Sequence, residues 1–259
     1  MKTCLSYTTV LNRTASAPAP AHIKPSLLIF LALLTFCLSP MASWAQTRSI
    51  EFAGMSWSIR QTAGPSAPGP TTFSNAPDQV WIDSQGKLHF SVKQRGGVWT
   101  GSEIAARRDT GYGTYRFDME ASKLRSLDPN LVFGFFTWDV RALDAYNREI
   151  DIEISKWGNP SNPCGWFTIQ PYDRKGNQHA FYLPAGEVLT FEMKWEPGAV
   201  TFLVLADGKE KVRWRYTDQV PDPGRARLRI NFWTFQGKAP MGQGPYEVVL
   251  WNLSYVPLR

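Results

Sequence analysis

Residues 149–155 read Glu149-Ile150-Asp151-Ile152-Glu153-Ile154-Ser155. Charged and apolar side chains alternate strictly, and successive side chains of a β-strand point to opposite faces. On a strand, Glu149, Asp151 and Glu153 therefore line one side while Ile150, Ile152 and Ile154 face a core. The period is wrong for a helix, which would scatter the isoleucines around its axis.

The same alternation recurs outward in both directions. It is clearest in Lys87–Lys93, Gly113–Ser122, Leu131–Trp138, Trp166–Gln170, Leu189–Trp195, Val200–Leu205, Arg227–Trp233 and Tyr246–Val256. Turn signals such as Ser84-Gln85-Gly86, Glu196-Pro197-Gly198 and Asp207-Gly208 separate these runs. Many short strands without a sustained 3.6-residue pattern predict an all-β chain, an antiparallel sandwich or barrel. Residues 61–70 (QTAGPSAPGP) read as a flexible loop, too short to link domains.

Residues 1–45 stand apart. Lys2, Arg13 and Lys24 precede an apolar run from Leu27 to Leu38, and Ser43-Trp44-Ala45 follows. This is the pattern of a cleaved signal peptide, with cleavage expected before Gln46 and a secreted or periplasmic product. A membrane anchor fits less well, because a span needs about 20 apolar residues and Pro40 interrupts this run. Residues 46–259 then form one domain, expected as a monomer with a sizeable core. The leader holds three of the 28 basic residues and none of the 22 acidic ones, which takes the net charge from +6 to +3. That is too mild to argue for a nucleic-acid partner. Cys4 and Cys37 leave with the leader, so Cys164 has no intramolecular disulfide partner.

Three like charges on one strand face repel one another, which is poor structural economy. A solvated acidic edge is the plain alternative. The chemical reading is a pair of carboxyls on one side of a sugar, one acting as nucleophile and the other as general acid/base. Asp151, between them, could orient Glu149, and negative neighbours would raise the pKa of Glu153. Scattered His and a single Cys suggest no metal site, and no cofactor is expected. Trp-rich composition, with all of the 11 Trp but Trp44 outside the leader, suits either a β core or sugar-stacking surfaces.

The run EIDIE followed by Trp157-Gly158 resembles the signature of glycoside hydrolase family 16, which includes lichenases, laminarinases and xyloglucan transglycosylases. Gly111-Tyr112-Gly113-Thr114-Tyr115, Phe135-Phe136-Thr137-Trp138, residues 191–208 and Asn231-Phe232-Trp233 resemble further family strands. The match covers roughly residues 52–257. It implies a concanavalin-like β-jelly-roll sandwich with a polysaccharide substrate in a concave cleft. It also implies Glu149 as nucleophile, Asp151 as its assistant and Glu153 as acid/base. Phe136, Trp138, Gln170, Tyr172, Asn231 and Trp233 fall where the family contacts sugars.

Several positions depart from the family pattern. Arg116 and Asp118 exchange the charges of the corresponding family pair, and are expected to face the cleft as an ion pair beside substrate. Asn147-Arg148 stand where lichenases carry Trp-Asp, and Asn147 is expected on the cleft wall. Leu189 replaces a His, and Leu250 replaces an acidic residue that often binds calcium. The expected activity is retaining endo-hydrolysis of a β-linked glycan. A transglycosylase and a carbohydrate-binding jelly roll without turnover stay open as alternatives.

Overall fold

The computed structural model describes residues 48–259, so the expected leader at 1–45 lies outside the described residues. Sixteen strands follow in chain order. The first eight are β1 (Ser49–Phe52), β2 (Met55–Ile59), β3 (Thr72–Phe73), β4 (Val80–Ile82), β5 (Leu88–Arg95), β6 (Val98–Ala106), β7 (Gly113–Glu120) and β8 (Leu131–Trp138). The rest are β9 (Ile150–Ser155), β10 (Gly165–Ile169), β11 (Gln178–Phe181), β12 (Val188–Glu196), β13 (Ala199–Ala206), β14 (Lys209–Tyr216), β15 (Arg227–Thr234) and β16 (Tyr246–Pro257). One short helix, α1 (Ala121–Arg125), follows β7 and ends that strand two residues before the sequence pattern does.

Fifteen of these strands form the two layers of an antiparallel jelly roll, and the short β3 pairs parallel to β6. The front layer runs β11-β10-β9-β8-β15-β6-β2-β1 and the back layer β14-β13-β12-β7-β16-β5-β4. The layers join where Lys93–Arg95 of β5 pairs with Val98–Thr100 of β6.

Aromatic side chains fill the space between the layers. Phe135 of β8 stacks on Phe117 of β7 with ring centroids 4.1 Å apart, and Phe133 meets Phe90 of β5 edge-on at 6.0 Å. Phe167 of β10 stacks on Phe202 of β13 at 4.7 Å. Ile150, Ile152, Ile154, Leu228, Ile230 and Phe232 complete the front layer's inner face, each at most 1% exposed. Alternation puts Tyr115, Phe117 and Met119 on one face of β7 and Leu228, Ile230 and Phe232 on one face of β15, and both sets are buried, as are the isoleucines of β9.

Three departures from the sequence reading have clear causes. The alternation did not reveal β6, because it is buried on both faces and lacks a polar side to set the period. Gly101 within it lies so close to β15 that an added Cβ would stand 2.8 Å from the Phe232 carbonyl oxygen. The back-layer edge strand β14 was also unread, since Lys209, Glu210, Lys211, Arg213 and Arg215 mask the alternation of Val212, Trp214 and Tyr216. Charge on an edge strand discourages pairing with other chains. Nor does alternation show β11, on which His179 lies and stacks on Phe167.

Because Phe135 touches Tyr115 and Phe117 of the opposite layer, Phe135→Ala should destabilise the domain by about 3–5 kcal/mol. Denaturant unfolding would show this as a lower midpoint with an unchanged slope.

Candidate active site

The outer face of the front layer holds the site, and its floor follows from cross-strand register. Glu153 pairs across β9 and β8 with Gly134, and Asp151 with Phe136. On the next strand Asn231 lies opposite Gly134, and Arg229 opposite Phe136. Beyond that, Asn231 lies opposite Glu103 of β6. Gly134 is needed in this row. An added Cβ there would come within 2.6 Å of Asn231 Oδ1.

These side chains surround a cavity of about 440 Å³. Glu149, Asp151, Glu153, Phe136, Trp138, Asn231 and Trp233 all line it, so seven of the sequence-selected residues meet in one place. Phe136 and Trp233 are 8% and 7% exposed and show little more than ring edges. Trp138 is more open. The guanidinium of Arg229 sits 5.9 Å from its ring centroid.

Glu149 lies just before β9 rather than within it. It ends a 3-10 segment, Leu143–Arg148, in which Tyr146 and Asn147 have left-handed backbones with φ 48° and 56°. Arg148 follows at φ 55°. Three consecutive non-glycine residues in that region are uncommon, and such strain gathers at functional sites. The segment is tied down by Asp139: its N–H donates to the Asn147 carbonyl at 2.7 Å, and Arg148 Nε approaches its carboxylate at 3.4 Å. Arg148 also pairs with Asp222 at 2.5 Å.

Gln170 Nε2 donates to Asp151 Oδ2 at 3.0 Å, and Glu149 lies within hydrogen-bonding reach of Asp151. Removal from water raises all three carboxyl pKa values. Mutual repulsion raises Glu149 and Glu153 further, and the Arg229 charge opposes the rise at Glu149. Asp151 is pushed up to about 7, chiefly by burial, with the bonds from Gln170 and Glu149 pulling the other way. The row therefore holds its protons more tightly than free carboxylates do.

Sequence reasoning missed the opposite wall. Glu103 of β6 has a side chain only 2% exposed and accepts from Arg60 Nη1 at 2.7 Å and Arg229 Nη1 at 2.9 Å. Arg60 Nη2 donates to Ser66 Oγ and to the Ala67 carbonyl, which draws residues 61–70 against the cavity, where Ala67 and Pro68 line it. No sequence signal marks Glu103, since β6 shows no polar/apolar alternation.

Four expected contacts are corrected. Arg116 and Asp118 lie on β7, which pairs with β12 and β16 in the back layer, so they are on the far side of the sandwich from the cavity. Nor do they pair with one another. Arg116 approaches Glu192 at 3.7 Å, and Asp118 accepts from Thr190 Oγ1 at 2.5 Å. Strand parity gave their face, but only topology gives their layer. Asn147 donates from Nδ2 to the Asp139 carbonyl at 2.9 Å and holds the strained turn instead of lining the cavity. Tyr172, 64% exposed, stands in the turn after β10 and is absent from the cavity wall. Gln170 reaches the site only through Asp151.

No protein-family model and no curated protein matches the sequence. Solved structures do. A β-glucanase of Bacillus licheniformis aligns with TM-score 0.62 and 19% identity over 81% of this chain and 95% of its own. A β-1,3-1,4-glucanase (lichenase) from a mouse hindgut metagenome aligns at 0.60 and 19%, over 78% and 93%. A pseudo β-1,3-glucanase of Mycobacterium tuberculosis aligns at 0.59 and 17%, over 78% and 91%. At these identities the likeness is one of fold. This chain has the jelly-roll architecture of the β-glucanases.

The raised pKa of Asp151 makes a stability prediction. Between its ordinary value near 3.8 and its folded value of about 7, the native state binds more protons than the unfolded one, so stability falls as pH rises through that window. Asp151→Asn should raise the melting temperature at pH 8, by several degrees, and much less at pH 4. Equal shifts at both pH values would show that Asp151 ionises normally. The relocated pair makes another. Arg116→Glu with Asp118→Arg should leave the affinity of any ligand of the cavity within twofold of the parent, since neither residue faces it.

Proposed function

We propose that this chain is a family 16 glycoside hydrolase that cleaves β-linked polysaccharide by retaining double displacement. The observation that carries the reading is the Glu149-Asp151-Glu153 row on the floor of an aromatic-walled cavity, with every carboxyl pKa raised. Such a row destabilises the fold, and a purely structural strand has no use for it.

Glu149 attacks the anomeric carbon and forms a glycosyl ester as the glycosidic bond breaks. Glu153, whose hold on its proton is strengthened by burial and by Asp151, transfers that proton to the departing sugar oxygen. Glu153, now a carboxylate, then takes a proton from water, whose oxygen displaces Glu149 and regenerates both groups. Asp151, held by Gln170, bonds Glu149 and fixes its orientation. Arg229 favours the charged form of Glu149 that attack requires. Trp138 offers the open ring face against which a sugar can stack. The mature enzyme is an exported monomer beginning at Gln46 that requires no cofactor.

Two alternatives have definite signatures. A sugar in place of water at the second step makes the enzyme a transglycosylase, and chain-length redistribution without net reducing ends identifies it. One structure sharing the fold is named a pseudo β-1,3-glucanase, which favours considering a carbohydrate-binding protein without turnover. Binding without products across lichenan, laminarin, xyloglucan, agarose and carrageenan would support that reading.

For the hydrolase, Glu149→Gln and Glu153→Gln should each lower kcat by at least about 10²–10⁴-fold with the fold intact by circular dichroism. Proton NMR of the first product should show the β-anomer before mutarotation. An initial α-anomer would mean inversion and reject Glu149 as nucleophile.

A further inference from the structure

Past Trp138 the cavity continues into a narrow groove of about 110 Å³, and the two share Trp138, Val140 and Arg229. Arg141, Arg225, Arg227 and Arg229 line the groove, against only two carboxylates, Asp109 and Asp139. Arg227 is the cross-strand partner of Trp138, which places it beside that ring on the same face.

The bonding within the groove is what distinguishes it from a neutralised patch. Asp109 takes one arginine on each oxygen: Arg225 Nε donates to Oδ2 at 3.0 Å and Arg227 Nε to Oδ1 at 3.0 Å. Both guanidiniums are thereby oriented through Nε. Their terminal nitrogens have no protein partner among the described residues, and the side chains are 56% and 44% exposed. Asp139 is turned inward, with a side chain 6% exposed that accepts the backbone N–H groups of Arg141 and Arg225 and faces Arg148. The Arg141 side chain has no partner among the described residues and stands in solvent. Arg229 is already held by Glu103. The groove thus offers two pre-oriented guanidinium forks and a third arginine, with positive charge in excess.

A guanidinium fork matches the paired oxygens of a carboxylate or sulfate, and bonds to such groups are stronger than those to hydroxyls. The pair is held by a carboxylate that the two arginines keep below its ordinary pKa, so its geometry persists over the working pH range. A neutral glycan offers these donors only hydroxyl oxygens, which leave the excess charge unneutralised.

We infer that the groove is an anion subsite, and that the β-linked polysaccharide taken by this cleft bears a carboxylate or sulfate on the sugar lying past Trp138. Arg225 and Arg227 receive that group, with Arg141 at the groove's edge. The inference rests on the glycan-cleft reading proposed above and specifies its substrate class.

The test uses the Glu149→Gln variant of residues 46–259, so that binding is measured without turnover. Three ligands share one backbone: a mixed-linkage β-glucan oligosaccharide, its C6-oxidised uronate form and its sulfated form. At low salt the better acidic ligand should bind at least about tenfold tighter than the neutral one, with an advantage that shrinks as salt is added. Whichever acidic form binds tighter identifies the group. Adding Arg225→Gln with Arg227→Gln should remove at least about fivefold of the acidic affinity and leave the neutral affinity unchanged. Arg213→Gln, on the back-layer edge strand, should change neither and so controls for net charge. The inference is overturned if acidic and neutral ligands bind alike, or if the double variant weakens both equally. Turnover of neutral glycans by the parent without an acidic preference removes the subsite alone. Acidic preference without turnover of any glycan removes the hydrolase and keeps the subsite.

Discussion

Everything at the site depends on the opposition of two faces along β9. Ile150, Ile152 and Ile154 are buried between the layers, and each such side chain contributes roughly 1.5–3 kcal/mol on leaving water. Their packing clamps the backbone in one register. With a strand period of two, the register that buries the isoleucines also sets Asp151 and Glu153 on the cavity floor. A slip by one residue would place the carboxyls in the core. The fold therefore tolerates a repulsive row because an apolar row on the same strand has nowhere else to go.

Around that strand, arginines set the electrostatic balance. Arg229 pairs with Glu103 and acts on Glu149 through its charge, and Glu103 in turn binds Arg60. A buried charge left without its partner is costly, by about 3–5 kcal/mol, so this chain of pairs fixes the spacing of β15, β6 and the residues after β2. The positive charge beside Glu149 opposes, without cancelling, the rise in its pKa from burial and from Asp151. Burial and Asp151 raise both glutamates, and of the two Glu149 alone has an arginine opposing the rise. In the mechanism proposed above, that difference favours Glu149 as the nucleophile and Glu153 as the proton donor.

The segment before Glu149 is a second constraint. Tyr146, Asn147 and Arg148 adopt left-handed backbones that ordinary side chains disfavour, and Asp139, Arg148 and Asp222 hold them there. In this chain Asn147 and Arg148 act below the site, as the fastening of the turn that delivers Glu149. Their difference from the lichenase-like pattern is thus a difference in support, and the carboxyl row above it is complete.

Alternation in the sequence was enough to determine the all-β class, the inward and outward faces of β7, β9 and β15, and the common side of Glu149, Asp151 and Glu153. Those features are local, because a pleated backbone imposes period two whatever surrounds it. The same rule cannot say which layer a strand joins. Arg116 and Asp118 had the parity of cleft residues and lie on the back layer, because β7 pairs with β12 and β16. It also cannot find a strand buried on both faces, and so β6 and Glu103 stayed hidden. Only tertiary structure decided that Arg60, Glu103 and Arg229, from segments far apart in sequence, would share one wall. It alone decided that Asp109 would align Arg225 and Arg227 beside the cavity. Pairings between distant strands are settled by the packing of the whole sandwich, and no short stretch of sequence contains that information.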